Sequence, residues 1–145
     1  MSKKKALLVL NGKLDLKRKE IIDFIENKNI DKIIAVDGGA NKIKKLELIP
    51  DLIIGDLDSL TQINKEYYQK QQVKIIKHPV EKDQTDSELA VDYCLKENFD
   101  KLYLISALGG RVDQQLANIN LLEYINELSL KAEIISKNVE IAVIE

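Results

Sequence analysis

The chain has little of several residues that carry specialised chemistry: one cysteine, one histidine, two prolines and two arginines in 145 residues. A single thiol, Cys94, excludes a disulfide framework and a thiolate metal cluster. It falls on the apolar side of a helical pattern, so it is expected in the core and not as a nucleophile. The single histidine, His78, precedes Pro79 in a predicted loop and has no part in the chemistry expected below. Net charge is −2, so no basic excess favours nucleic acid or an anionic membrane. No apolar run approaches the roughly 20 residues of a membrane span. The basic start at residues 3–5 leads into an apolar strand and not into a signal-peptide core, so a cytoplasmic protein is expected. There is no Gly-x-x-x-x-Gly-Lys-Ser/Thr loop and no Gly-x-Gly-x-x-Gly. The first absence excludes a P-loop kinase, and the second, in the first loop, argues against a dinucleotide fold of the usual kind.

What is present is a soluble globular balance, 45% apolar and 32% charged, in a length that suits one domain with a real core. Near-continuous apolar runs at residues 6–10, 32–36, 52–54, 73–76 and 101–105 predict five strands. Helical patterns at 17–28, 41–46, 62–71, from 86 onward and at 112–127 alternate with them. Leu116, Ile119, Leu122 and Ile125 are among the apolar positions of the last helix. Thr85 with Glu88 three residues on is a capping-box arrangement that opens the fourth helix. Two more strands, 132–136 and 139–144, are predicted around a turn at Lys137 and Asn138. Strands that read as unbroken apolar runs suit a sheet covered on both faces. The expected fold class is α/β: a mostly parallel, doubly wound, Rossmann-like sheet in three layers.

The most informative stretch is residues 50–59. Leu52, Ile53 and Ile54 read as a buried strand that stops at Gly55 and delivers Asp56 and Asp58. Residues two apart in extended backbone point to the same side, so both carboxylates face one point beyond the strand end. Mg²⁺ suits such oxygen ligands together with phosphate oxygens. The same punctuation recurs. All six glycines (Gly12, Gly38, Gly39, Gly55, Gly109 and Gly110) follow predicted strands. In open parallel sheets ligands bind outside the carboxyl ends of the strands. Glycine there lets backbone N–H groups approach an anion. The loops also carry Asp37, Asp83, Asp86, Arg111 and Asp113. Against 20 lysines, an arginine directly after Gly-Gly has the forked geometry that holds phosphate oxygens bidentately. Each feature alone has an ordinary alternative. Asp86 is also a good first-turn acid for a helix, Asp37 a turn former, and Arg111 a surface partner for Asp113. Together they point to a Mg-nucleotide.

Four ordered motifs carry a resemblance. Val36-Asp37-Gly38-Gly39-Ala40-Asn41, the stretch 50–59, Asp83-Gln84-Thr85-Asp86 and Ala107-Leu108-Gly109-Gly110-Arg111-Val112-Asp113 together resemble thiamine pyrophosphokinase over nearly the whole chain. The resemblance implies transfer of the terminal pyrophosphate of ATP to the hydroxyl of thiamine, with Mg²⁺, giving thiamine diphosphate and AMP. It implies Asp56, Asp58 and Asp86 as metal ligands, with Arg111, Asp83 and Asp113 as further catalytic residues. Asp37, Gly38, Gly39, Asn41, Ser59, Thr85, Gly109, Gly110, Arg111 and Gln114 would surround the nucleotide. Gln114 stands where many relatives have His. The resemblance also implies that residues 1–136 form the nucleotide-binding catalytic domain. Residues 137–145 would begin a C-terminal β-rich domain that is otherwise absent here, that contributes thiamine contacts and that supports a homodimer in the full-length form. The alternatives are a pyrophosphokinase acting on a hydroxymethyl-pterin and a nucleotide-binding module without catalysis.

Overall fold

Apolar runs become strands here because both sides of the sheet are covered. The computed structural model describes residues 4–55, 62–77 and 85–143. The elements in order are β1 (Lys5–Val9), α1 (Arg18–Lys28), β2 (Lys32–Val36), α2 (Gly39–Lys44), β3 (Leu52–Gly55) and α3 (Gln62–Lys70). They continue with β4 (Lys74–Lys77), α4 (Asp86–Lys96), β5 (Lys101–Ile105), α5 (Val112–Glu127), β6 (Lys131–Ile135) and β7 (Glu140–Ala142). Seven strands form one sheet in the order β4-β3-β2-β1-β5-β6-β7. The first six are mutually parallel, and β7 runs antiparallel on β6.

Successive residues of a strand point to opposite faces, and β1 shows the result. Ala6, Leu8 and Leu10 join a cluster with Ala90, Val91 and Cys94 of α4 and Leu121, Leu122 and Ile125 of α5. Leu7 and Val9 join the opposite cluster, with Ile21 of α1, Ala40 and Ile43 of α2 and Tyr68 of α3. Helices therefore cover both faces of a mixed sheet. Tyr68 is fully buried, and its hydroxyl donates to the Ala40 carbonyl at 2.7 Å, which fastens α3 to α2. Burial, and secondarily Tyr67, push its phenol up to about 12.

At the amino ends of the strands, acids serve the backbone. Asp31 accepts from Lys5 N–H at 2.8 Å, Asp51 from Ile33 N–H at 2.8 Å and Asp100 from Lys4 N–H at 2.7 Å. Each satisfies a donor that would otherwise be left over at a sheet end. These acids are structural, unlike those at the opposite edge.

Two expectations from sequence shift. The second helix starts at Gly39 and not at Asn41, because the glycine pair packs into the helix start instead of forming an open loop. Leu116, counted with the apolar positions of α5, is 54% exposed, and Val112 is 69% exposed. The first turns of α5 rise past the sheet edge, so its buried side begins only at Asn118.

Candidate functional site

The carboxyl edge of the sheet is built around the loops after β1 and β5, neighbours in space though far apart in sequence. They are joined by a run of short bonds. Leu10 N–H donates to the Ile105 carbonyl at 3.0 Å, Gly12 N–H to Ser106 at 2.5 Å and Lys13 N–H to Leu108 at 2.9 Å. The Ser106 hydroxyl returns a bond to the Gly12 carbonyl at 2.8 Å, buried, across 94 residues. The β5 loop is held from above by α5. Buried Asn118 donates its side-chain amide to the Ala107 carbonyl at 2.8 Å, and Gln115 accepts from Gly109 N–H at 2.6 Å. Gly109 and Gly110 follow each other at φ +78° and +74°, a left-handed pair that a side chain at either position would strain.

The loop after β2 is pressed against the loop after β1. Asp37 N–H donates to the Ile54 carbonyl at 2.7 Å. A side chain at Gly38 would collide with that of Asn11, and one at Gly39 with the Val9 carbonyl. Gly39 must be glycine for α2 to start this close to β1, whereas a side chain at Gly38 would displace that of Asn11. Thr85 caps α4 as its sequence suggests. Its hydroxyl accepts from Glu88 N–H at 3.1 Å and donates to the Glu88 carboxylate at 3.2 Å. That cap sets Asp86 in the first turn, half-buried.

Two clefts result. One, of about 180 Å³, is lined by Asn11, Asp37, Thr85, Asp86, Gln114 and Asn118 among others. It joins expected residues from the loop after β2 and from the first turns of α4 and α5. The other, of about 470 Å³, is lined by Asn11, Gly12, Lys13, Lys42, Lys45 and Gly110, with Leu14, Leu16 and Leu46. Asn11 belongs to both.

Other expected residues lie apart from these clefts. Asn41 accepts from Asn64 of α3 at 3.0 Å, and Asn64 in turn accepts from the Lys44 ammonium. The Arg111 fork rests on Asp113, with Nε to Oδ1 at 3.1 Å and Nη2 to Oδ2 at 2.7 Å, and both side chains are largely exposed. Asp113 Oδ1 also accepts from Gln114 N–H at 2.9 Å. Asp56, Asp58, Ser59 and Asp83 lie outside the described residues. Among the described residues no three of His, Cys, Asp and Glu come together to hold a metal.

Sequence reasoning passed over Asn11, Asn118 and the three lysines. Asn118 carried a signal: it is a polar residue in the stripe that Leu122 and Ile125 continue. The lysines carried none, being three among 20.

The chain is an α/β protein with polar and charged groups gathered over the carboxyl ends of its parallel strands, the edge at which open α/β sheets bind ligands. A family model described as "Thiamin pyrophosphokinase, catalytic domain" matches residues 24–134. The thiamine pyrophosphokinase of Bacillus subtilis is 34% identical over 104 residues, covering 72% of this chain and 49% of that protein. Thiamine pyrophosphokinase 3 of rice is 29% identical over 138 residues, covering 81% and 50%. Among solved structures, the Bacillus subtilis enzyme superposes with a TM-score of 0.72 at 28% identity, over 92% of this chain and 61% of that one. The Candida albicans enzyme gives 0.78 at 25% identity, over 97% and 60%. The chain belongs to the thiamin pyrophosphokinase catalytic-domain family. It spans about half the length of the curated relatives it matches.

Proposed function

We propose that the chain carries the ATP-binding, catalytic part of a thiamine pyrophosphokinase, on a doubly wound, Rossmann-like sheet. The observation that carries this is the cleft at the strand ends. Asp37, Thr85 and Asp86, from two of the four family-like motifs, and Gln114, the residue directly after a third, line one space within the residues that the family match spans. The hydroxymethyl-pterin and non-catalytic alternatives have no comparable support.

The reaction joins an acceptor hydroxyl oxygen to the β-phosphorus of ATP and breaks the bond from that phosphorus to the oxygen bridging to the α-phosphate. The bond electrons stay with AMP, and the hydroxyl proton is released. Such a displacement asks the protein chiefly for positioning and charge neutralisation. The donor set fits Mg²⁺. Asp37 and Asp86 offer hard carboxylate oxygens to one small cleft, the ligand type that ion takes alongside substrate phosphates. We assign Asp86, with Asp56 and Asp58, to hold it. When bound it would supply charge neutralisation on the transferred diphosphate. We assign the Gln114 side-chain amide to hydrogen-bond phosphate oxygens, while the Thr85 hydroxyl, engaged with Glu88, holds the start of α4 at the cleft. The loop of Gly109 and Gly110, braced by Asn118 and Gln115, keeps its backbone ready for the nucleotide. Both Asp113 oxygens are already engaged by Arg111 and the Gln114 amide, so we assign acceptance of the hydroxyl proton to Asp83.

The test is calorimetric titration with ATP, with and without Mg²⁺, followed by AMP release in the presence of thiamine. Mg-dependent ATP binding is expected, with at least a tenfold loss in Asp86→Asn. Binding that needs no Mg²⁺, or that Asp86→Asn leaves intact, would overturn the metal assignment.

A further inference from the structure

Where α2 and α3 meet, a chain of polar groups runs between them and points one way. Lys44 and Asn41 lie three residues apart, on the same side of α2. Asn64, in the first turn of α3, reaches both. The Lys44 ammonium donates to Asn64 Oδ1, and Asn64 Nδ2 donates to Asn41 Oδ1 at 3.0 Å. The ammonium also stands 4.9 Å from the centroid of the Tyr67 ring, which holds it at the head of the chain. All three residues are partly buried. An ammonium can only donate. Asn64 must therefore turn its oxygen to Lys44, which leaves its amino group for Asn41, and Asn41 must answer with its own oxygen. The Asn41 amino group is thereby the arm of that amide turned away from Asn64. The chain is not needed to fasten the helices. Tyr68, one turn beyond Asn64, already does so through the Ala40 carbonyl at 2.7 Å. What the chain adds is a direction.

We infer that Asn64 and Lys44 are positioning residues, which lock the Asn41 side chain with its donor arm toward the nucleotide. The inference rests on the pyrophosphokinase reading, in which Asn41, in the first turn of the helix that follows β2, belongs to the surroundings of ATP. Phosphate oxygens only accept. A side-chain amide has nearly the same shape either way round, and one free to rotate presents its oxygen to a phosphate as readily as its nitrogen. The first arrangement is repulsive, and the second is a charge-assisted hydrogen bond. Asn64 removes the wrong arrangement before the ligand arrives, so binding does not have to turn the amide.

Asn64→Asp inverts the chain and is the test. Its carboxylate keeps the pairing with Lys44, so the thermal midpoint should equal or exceed that of the parent. A carboxylate only accepts, however, so the Asn41 amide must turn its nitrogen to α3 and its oxygen outward. Calorimetric titration with Mg-ATP should show about tenfold weaker binding, the loss of one hydrogen bond to a charged acceptor. Asn64→Ala, which lets the amide rotate, should lose about threefold. The loss in Asn64→Asp should persist in about 0.5 M salt, which screens the repulsion of the added charge. A merely structural role gives the opposite order, with the aspartate variant binding at least as well as the alanine variant. That order, or a loss that salt abolishes, overturns the positioning role. Side-chain amide NMR reads the same inversion without ligand. An Asn41 N–H proton should move downfield in Asn64→Asp as it donates to the carboxylate, and an unchanged resonance also overturns the positioning role. If Asn64→Asp binds Mg-ATP like the parent while Asp86→Asn does not, the positioning role fails and the pyrophosphokinase reading stands. Mg-ATP binding that Asn64→Asp weakens and Asp86→Asn leaves intact is the converse.

Discussion

Replacing Asn118 by alanine should cost far more than its position near a loop suggests. The side chain is 2% exposed and donates to the Ala107 carbonyl at 2.8 Å, on a residue that is itself 2% exposed. Losing the bond removes about 0.5–1.5 kcal/mol, and the carbonyl left without its donor adds a desolvation penalty of about 1–3 kcal/mol. Part of that penalty is recovered by local relaxation, so the expected loss is about 2–3 kcal/mol. For a domain of this size each kcal/mol moves the melting temperature by about 2–4 °C, so the midpoint should fall by about 5–10 °C. Urea denaturation at 25 °C measures the loss directly, and an unchanged m-value would show that the unfolded state is not the cause. Asn118→Asp at pH 7 is the companion. It keeps the shape but points carboxylate oxygens at a carbonyl in a buried site, and should cost more than alanine. A loss below about 0.5 kcal/mol for alanine would mean that water replaces the amide. An aspartate variant as stable as the parent would mean that the bond is not what holds the β5 loop. Ligand affinity should fall with stability, since the same bond braces the loop of Gly109 and Gly110.

The other outcomes are simpler to state. Thr85→Ala removes the α4 cap and should destabilise by about 1 kcal/mol in thermal or urea unfolding, with Thr85→Ser recovering most of it. Burial pushes the Cys94 thiol from 9.0 up to about 12, only slightly opposed by Lys4, and the Tyr68 phenol also stands near 12. The folded state keeps both protons where the unfolded chain has lost them, so stability is fully present below about pH 9 and falls as pH rises towards 12. The denaturation midpoint at pH 11 should lie below that at pH 8. Cys94→Ala should flatten the part of the decline that begins near pH 9, and an equally steep decline in that variant would reject the assignment.

The parts of the fold that were legible in the sequence are those where one physical pattern had no competitor. Lys32–Val36 and Lys101–Ile105 are unbroken apolar runs between polar loops, and both strands fall where the runs do. The Thr85 cap was legible because a hydroxyl three residues before a glutamate has few other uses. The start of α2 was not, because Gly38 and Gly39 signal loop when read locally. Only the approach of Asn11 and the Val9 carbonyl from another strand makes them the compact start of a helix. The gathering of Asp37, Thr85, Asp86 and Gln114 followed from parallel topology alone, since that topology sends their loops to one edge. Which basic residues join them did not follow. A lysine facing a cleft and a lysine facing water look the same in a chain with 20 of them. Arg111, by contrast, stood out by rarity, and its fork rests on Asp113, the ordinary pairing that its sequence neighbourhood also allowed.

The junction between the loops after β1 and β5 also bears on the order in which the molecule is made. Gly12 and Ser106 bond to each other across 94 residues, and β1 sits between β2 and β5. During synthesis, at about 5–20 residues per second, β1 waits about 5–20 s for its second neighbour. Through that interval one edge of β1 is an unpaired strand, with Leu7, Leu8 and Val9 lacking part of their cover. Such an edge is a template for pairing with the wrong chain. Slow translation between residues 10 and 105 therefore lengthens exposure to aggregation without altering the finished protein. The candidate clefts beside this junction are among the last features of the nascent chain to take shape.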